Sequence, residues 1–513
     1  MQTTTSAFTN RANGAMRKLT HRALMSFPRS YLPSVTFFTI GVSTIGGADI
    51  IKGDGSVIAE WDKYQYDDYS YRIKSIEVTR TEENFNSTSL AQADIVLENH
   101  DNYFTPNRGS VIDDLILPYR PVKLYGGFGD EAVPQFVGLT EKMPTINEKT
   151  KVAQFHCIDF MYSLFNRPLD EAVMYQDMRT DEILAALLVA FGISPTQYSF
   201  DVGFNIIAFA FFDKGSKFGN VVKELMEAEM GRFYMDETGV IRFKNRQNYS
   251  SSPVWFFNET NIIDIQTSKQ DDIINVVEIK ANVREVQALQ KFWELQSAVK
   301  VPANSSLTIW ADFDDPVTEV DDPVYITSAT TSLFTTNKAE DGSGDAVTSN
   351  FVLDSSYLFS KSFQMVFENT NSFDVYITTL ELFARPAKVV KELYIREEDT
   401  TSVGKYDERV LTIENDFFNE EGEAISKAKI ILDDEADYAN TFIMNVKGNP
   451  ALQIGDAVNV SVFGSADTYV IKKIVNRWEA GRFSQQLTVK KKTFRTFFTV
   501  GISTIGGSDV IAP

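Results

Sequence analysis

Apolar and polar residues alternate through Ile76-Glu77-Val78-Thr79, and an apolar-rich run with the same period follows through Ala93-Asp94-Ile95-Val96-Leu97-Glu98. A period of two puts one face of a strand on a core and the other in solvent, so both stretches predict half-buried β-strands. The polar turn Asn99-His100-Asp101-Asn102 ends the second strand, and Pro106 with Gly109 prevents its simple continuation. Further strands are predicted from Pro121 into a Gly126-Gly127 bend, around Gln135 to Leu139, and from Val152 through Cys157.

After Phe165 the period lengthens. Thr180 caps a predicted helix that Gly192 stops. A second helix begins near Ser216, where Phe218, Val221, Val222, Leu225, Met226 and Met230 recur at spacings of three or four until Gly231. Arg232 to Met235, the turn Asp236 to Gly239, and Val240 to Lys244 then predict a hairpin. Strands return at Ile274 to Lys280, and residues 302–385 read as a self-contained β module with a polar loop at Lys338 to Asp345. A helix from about Glu420 to Ala439, with Ala424, Ala428 and Ile431 on one face, precedes strands around Ala457 and Tyr469.

The order of these pieces resembles the tail hub, or baseplate hub, proteins of tailed bacteriophages and related injection machines. The resemblance rests first on Ala93, Asp94, Ile95, Leu97, Asn99, Asp101, Phe104 and Pro106, followed by Tyr119, Arg120, Pro121, Val122, Leu124, Tyr125, Gly127 and Phe128. It continues in the Gly231 to Phe243 hairpin, in Asn449-Pro-Ala-Leu-Gln-Ile-Gly455-Asp456, and in Tyr469, Trp478, Gly481, Phe483 and Leu487. The resemblance implies a mainly β, multidomain α+β chain with two tail-tube-like β-barrels, a small α+β domain and an inserted β-sandwich-like module. The expected division is a basic arm (1–35), a first repeat with an aromatic segment (36–72), the first barrel (73–166), the α+β domain (167–262), the second barrel (263–301 and 386–495), the insertion (302–385) and a terminal repeat (496–513). It further implies a structural, non-enzymatic virion component, assembled in the bacterial cytoplasm as a homotrimer at the tail tip. The implied neighbours are tail tube or distal tail protein, tape measure protein and a tip or central fibre protein, with genome DNA passing through the lumen.

Two features add to this picture. The stretch from Thr36 to Ile51 recurs almost unchanged from Thr496 to Ile511, each copy reading as two short strands about a Gly-Gly bend, Gly46-Gly47 and Gly506-Gly507. Two copies are too few for a solenoid, which leaves a duplicated docking element or a pair of edge strands. Between Asp54 and Tyr71, Tyr64, Tyr66 and Tyr69 alternate with acids, a pattern that suits a subunit interface or a sugar platform. The Gly pairs and these three tyrosines are therefore the candidate partner contacts.

Charge narrows the partners. Seventy Asp and Glu against 49 Lys and Arg give a net charge of −21, which disfavours binding to phosphates and suits a wall that DNA slides past. The first 34 residues are the exception, with Arg11, Arg17, Lys18, Arg22 and Arg29 and no acid, and predict an amphipathic helix from about Ala15 to Phe27 or a loose arm. Cys157 stands alone, so no intrachain disulfide forms, and no apolar run reaches the 18 residues of a membrane span. The three histidines lie in no metal-ligand spacing, and no G-x-S-x-G elbow occurs. Asp312, Asp314 and Asp315 open an acidic run that is the calcium candidate, although glycine and glutamate are missing from the positions an EF-hand loop requires. No cofactor is expected. Two alternatives stand beside the structural role: a tail-associated cell-wall or polysaccharide hydrolase, and binding of a host-surface glycan through the insertion.

Overall fold

The computed structural model describes residues 1–14, 17–27, 35–36, 51–52, 61, 64–82, 87–246, 252–267, 273–325, 333–359, 361–436, 441–462 and 465–491. The chain is mainly β with a smaller helical content, and the described residues are arranged in several sheets around five cores.

The basic N-terminal stretch is neither a helix over 15–27 nor a loose arm. Helix α1 (Ser6–Asn13) comes earlier, capped by the Thr5 hydroxyl accepting from Phe8 N at 3.2 Å, and strand β1 (Leu19–Met25) follows. The reason is the period: Ala23, Met25 and Phe27 alternate inward and are fully buried. Strands β2 (Ile73–Thr81), β3 (Ser87–Glu98), β4 (Pro121–Phe128), β5 (Glu131–Thr140) and β6 (Val152–Ile158) complete the first unit. Antiparallel ladders run β2–β3–β6–β5–β4–β1 and wrap one core of Ile76, Val78, Ile95, Leu97, Phe104 and Phe155. Among the described residues no ladder joins β1 to β2, so the barrel is open.

Helices α2 (Phe160–Phe165), α3 (Thr180–Ala190) and α4 (Phe218–Glu229) and the hairpin β7 (Arg232–Met235) with β8 (Ile241–Lys244) form the α+β layer. The apolar faces of α3 and α4 bury Ile183, Leu184, Leu187, Val222, Leu225 and Met226 together. Met230, not Gly231, takes the left-handed turn that ends α4, at φ 57°. Strand β7 then runs parallel to the start of β3, which ties this layer to the first barrel.

Strands β9 (Trp255–Phe257) and β10 (Ile262–Thr267) lead to β11 (Val276–Val286). Within residues 302–385, β12 (Ser305–Asp312), β13 (Phe351–Leu358) and β14 (Ser362–Asn369) form a three-stranded sheet ordered β12–β14–β13. It packs on the first half of the 24-residue strand β15 (Val375–Glu398) around Phe334, Phe351, Phe363 and Phe367. The second half of β15 pairs with β11, which also pairs in parallel with β16 (Val410–Glu414). Helix α5 (Glu421–Glu435) covers this sheet, seating Ala424, Ala428 and Ile431 on Val277, Ile279 and Ile413. Small alanines permit the helix to lie close to the strands.

Strands β17 (Thr441–Val446), β18 (Ala457–Val462), β19 (Ser465–Glu479) and β20 (Arg482–Lys491) rejoin β9 and β10. The order β10–β17–β20–β19–β18–β9 curls around Val446, Val458, Val460, Ile471, Leu487 and Val489, again without closing among the described residues. Strand β19 is long enough to serve both barrels. Its second half pairs antiparallel with β2, from Lys473↔Thr81 to Glu479↔Ser75.

Candidate functional site

Among the described residues, an extended set of ring contacts and buried polar contacts lies at the seam where β2 meets β19. Its apolar part is a ladder of rings: Phe8 lies 5.4 Å from Phe128, Phe128 5.9 Å from Phe483, and Phe483 4.9 Å from Trp478. Trp478 belongs to β19 yet is buried in the core of the first barrel, where a side chain on Gly126 of β4 would overlap its indole. Phe8, Phe128 and Val133 make the opposite crossing, into the core of the second barrel. Each barrel is thus completed by residues of the other.

Beneath the ladder lies a buried polar network. Gln135 donates to Pro450 O at 2.9 Å and accepts from Asn476 Nδ2 at 2.9 Å, and Asn476 Oδ1 accepts from Gln485 Nε2 at 2.8 Å. Gln485 also holds the Asn449 backbone from both sides, donating to Asn449 O at 3.0 Å and accepting from Asn449 N at 3.0 Å. Amide side chains, which both donate and accept, satisfy one another here without net charge. The resembling motif Asn449 to Asp456 now has a physical reading. Asn449 Oδ1 accepts from Ala451 N at 2.9 Å, Asp456 accepts from Gln453 N at 2.8 Å, and Gly455 adopts φ +83° against the Arg232 guanidinium. The motif builds a loop that locks the second barrel onto the α+β layer.

Charges close the network at its edge. Glu82, almost fully buried, lies 2.6 Å from Lys472 and 3.4 Å from Arg232, so one carboxylate holds cations from the second barrel and the α+β layer. Arg80 donates to Met235 O at 3.0 Å and Gln135 O at 3.1 Å and lies 3.4 Å from Glu237, which accepts from Gln453 at 2.7 Å. Nearby, burial raises the Asp159 carboxyl to about 6 although Ala91 N donates to it at 2.7 Å. At the α4–α5 contact, burial lowers the Lys427 ammonium to about 8, opposed by Glu423 at 2.5 Å; Lys427 also donates to Asn205 at 2.8 Å and to Ala228 O at the end of α4. These groups are paired and structural in their geometry.

Comparison with solved structures finds the prophage MuSo2 43 kDa tail protein from Shewanella oneidensis at 10% identity and TM-score 0.45, over 84% of this chain and 96% of that one. The tail protein from Neisseria meningitidis MC58 aligns at 9% identity and TM-score 0.46, over 83% and 94%. Prophage tail protein gp18 from Listeria monocytogenes EGD-e aligns at 10% identity and TM-score 0.41, over 85% and 94%. The chain resembles bacteriophage tail proteins. No family model matches it, and no curated protein does.

The sequence-based candidates fall in different places on this fold. Tyr64 and Tyr69 are buried within the chain, Tyr69 among Phe27 and Phe104. Tyr66 is half-buried, its hydroxyl donating to Trp61 O at 2.9 Å and its ring facing Lys123. Gly46, Gly47, Gly506 and Gly507 lie outside the described residues. Asp312 and Asp314 are exposed and Asp315 lies 3.4 Å from Arg284; among the described residues no group of three acids, histidines or cysteines is placed to hold a metal. His156 sits 3.1 Å from Asp94, and Cys157 is buried with its thiol pushed up by desolvation. The Asn99 turn folds back on the chain, Asn99 accepting from Phe104 N at 2.9 Å and Asp101 bonding Arg72 at 2.7 and 2.9 Å.

The seam residues Arg80, Glu82, Gln135, Asn476 and Gln485 were not singled out from sequence. A signal was present: Arg80 follows Ile76 and Val78 on the core-facing side of a strand, where an uncompensated charge is costly.

Proposed function

We propose that this protein is a structural hub at the distal end of a phage-like tail. The observation that carries the reading is the continuous sheet across β2 and β19, which joins two open barrels whose cores exchange residues. The order of the resembling motifs supports it, because the motifs fall on the first barrel, the hairpin and the loop that locks the second barrel. In this reading three copies set six barrels around an axis, tube protein stacks on one side and a tip component on the other. Strand edges and buried side chains hold the ring, and the acidic composition lets DNA pass without adhesion. Tape measure protein would occupy the channel before ejection. The inserted stretch 302–385 stands outside this frame, and no catalytic step is assigned.

Electron microscopy of the purified protein, with a pull-down against tube and tip proteins, tests the proposal. Threefold rings with a channel and capture of a tail component are expected. A stable monomer that captures neither overturns it, as does polysaccharide turnover abolished by a single carboxylate substitution.

A further inference from the structure

The sheet β12–β14–β13 carries two large exposed rings on its outer face. Directly opposed residues of neighbouring strands share a face, and the register sets Trp310, Gln364 and Tyr357 in one row across all three strands. Inner neighbours Phe363, Met365 and Phe367 fill the core, so the row points away from it. Trp310 is 48% exposed and Tyr357 57% exposed, so both rings are open to solvent on the same face. Trp310 is not loose: its ring lies against Phe359 at 5.4 Å and 32°, which fixes the indole as a platform. With strands about 4.8 Å apart, the two rings stand about 10 Å from each other, with the Gln364 amide between them. The Gln364 side chain makes no hydrogen bond to any described residue, while its backbone belongs to the ladders on either side.

We propose that this row is a carbohydrate-binding platform for a neutral oligosaccharide. A sugar ring has an apolar C–H face that stacks on an aromatic side chain, and hydroxyls at its rim that both donate and accept. Two rings separated by a bifunctional amide match that alternation, with Trp310 and Tyr357 stacking on separate sugar units and Gln364 bonding the hydroxyls between them. Charge narrows the choice. Residues 302–385 carry thirteen Asp and Glu against three Lys and Arg, and Asp312 and Glu368 stand on the same face. Such a field repels sulfated or uronic-acid glycans and nucleic acid, while carboxylates accept readily from neutral hydroxyls. An aliphatic protein partner would leave Gln364 and the carboxylates buried without partners. The proposal is independent of the ring assembly, since the face lies in the inserted module and uses no seam residue.

The test is binding of the full-length protein to immobilised neutral oligosaccharides (chito-, malto- and galacto-series) beside sulfated and uronic-acid controls, with light scattering on the same samples. Saturable binding to a neutral series is expected, weakened about tenfold or more by Trp310→Ala and by Tyr357→Ala and several-fold by Gln364→Ala. Thermal melting of these exposed-site variants is expected to stay near the wild type, which separates loss of the platform from loss of the fold. Phe359→Leu, which loosens the Trp310 ring without removing it, is expected to give an intermediate loss. Binding to none of the neutral glycans overturns the proposal. So does binding that Trp310→Ala and Tyr357→Ala leave unchanged, preference for the anionic controls, or self-association that Trp310→Ala abolishes.

Discussion

The two barrels share a curl and differ in what fills them. The first packs rings: Phe27, Tyr69, Phe104 and Phe155 lie with centroids 5.5–6.0 Å apart. The second is filled largely by Val446, Val458, Val460, Ile471, Ile474, Leu487 and Val489. Aromatic packing directs the loop from Asn99 to Phe104 inward, whereas β-branched side chains need only the pleated sheet itself. Neither filling is complete alone. The first barrel borrows Trp478 and the second borrows Phe8, Phe128 and Val133, so the difference in content is joined by a shared boundary. The barrels are therefore expected to unfold as one unit despite their different cores.

The largest disturbance of that unity is expected from Trp478→Ala. Removing a buried indole costs about 3–5 kcal/mol, and the loss falls on the first barrel although the residue belongs to the second. Denaturant unfolding followed by hydrogen exchange in each barrel should change from one transition to two; a single transition shifted uniformly would contradict the shared boundary. Next is Glu82→Ala, which leaves Arg232 and Lys472 near each other without their common anion, at a cost of about 3–5 kcal/mol. Its signature is exposure of the α+β layer together with both barrels. Asn476→Leu should cost about 1–3 kcal/mol, because Gln135 and Gln485 each lose a buried partner.

The smallest effect serves as a control outside both barrels. The Lys427 ammonium titrates near its ordinary 10.5 when unfolded and at about 8 in the native state, so between these values the unfolded chain binds more protons. Stability then rises with pH across that window, by about 1 kcal/mol between pH 8 and 9. Lys427→Met is expected to flatten the difference from wild type over that range. An unchanged pH profile would show that Lys427 is not desolvated between α4 and α5.

The mainly β, α+β class was legible because the periods are strong. Ile76 and Val78, the Ser216 to Met230 helix and the Arg232 to Lys244 hairpin all declare themselves locally, and the alanine face of α5 did so by residue size. Strand β1 was masked by its basic composition: Arg22 reads as an arm residue, but its side chain reaches Asp68 while Ala23 and Met25 hold the core. The seam was not legible, because its register joins residues about 400 positions apart and no local pattern records which edge meets which. Tyr64 and Tyr69 stood out for their composition, yet the structure uses both rings inside the chain. The outer row of the β12–β14–β13 sheet was hidden for a similar reason, since Trp310, Tyr357 and Gln364 align only when three separate strands are in register.

The most direct measurement is an averaged electron-microscopy view of the purified protein down its symmetry axis. The proposed hub gives a threefold ring with six barrel lobes and an open centre. A featureless monomer across the micromolar range, or a closed particle without a channel, contradicts it.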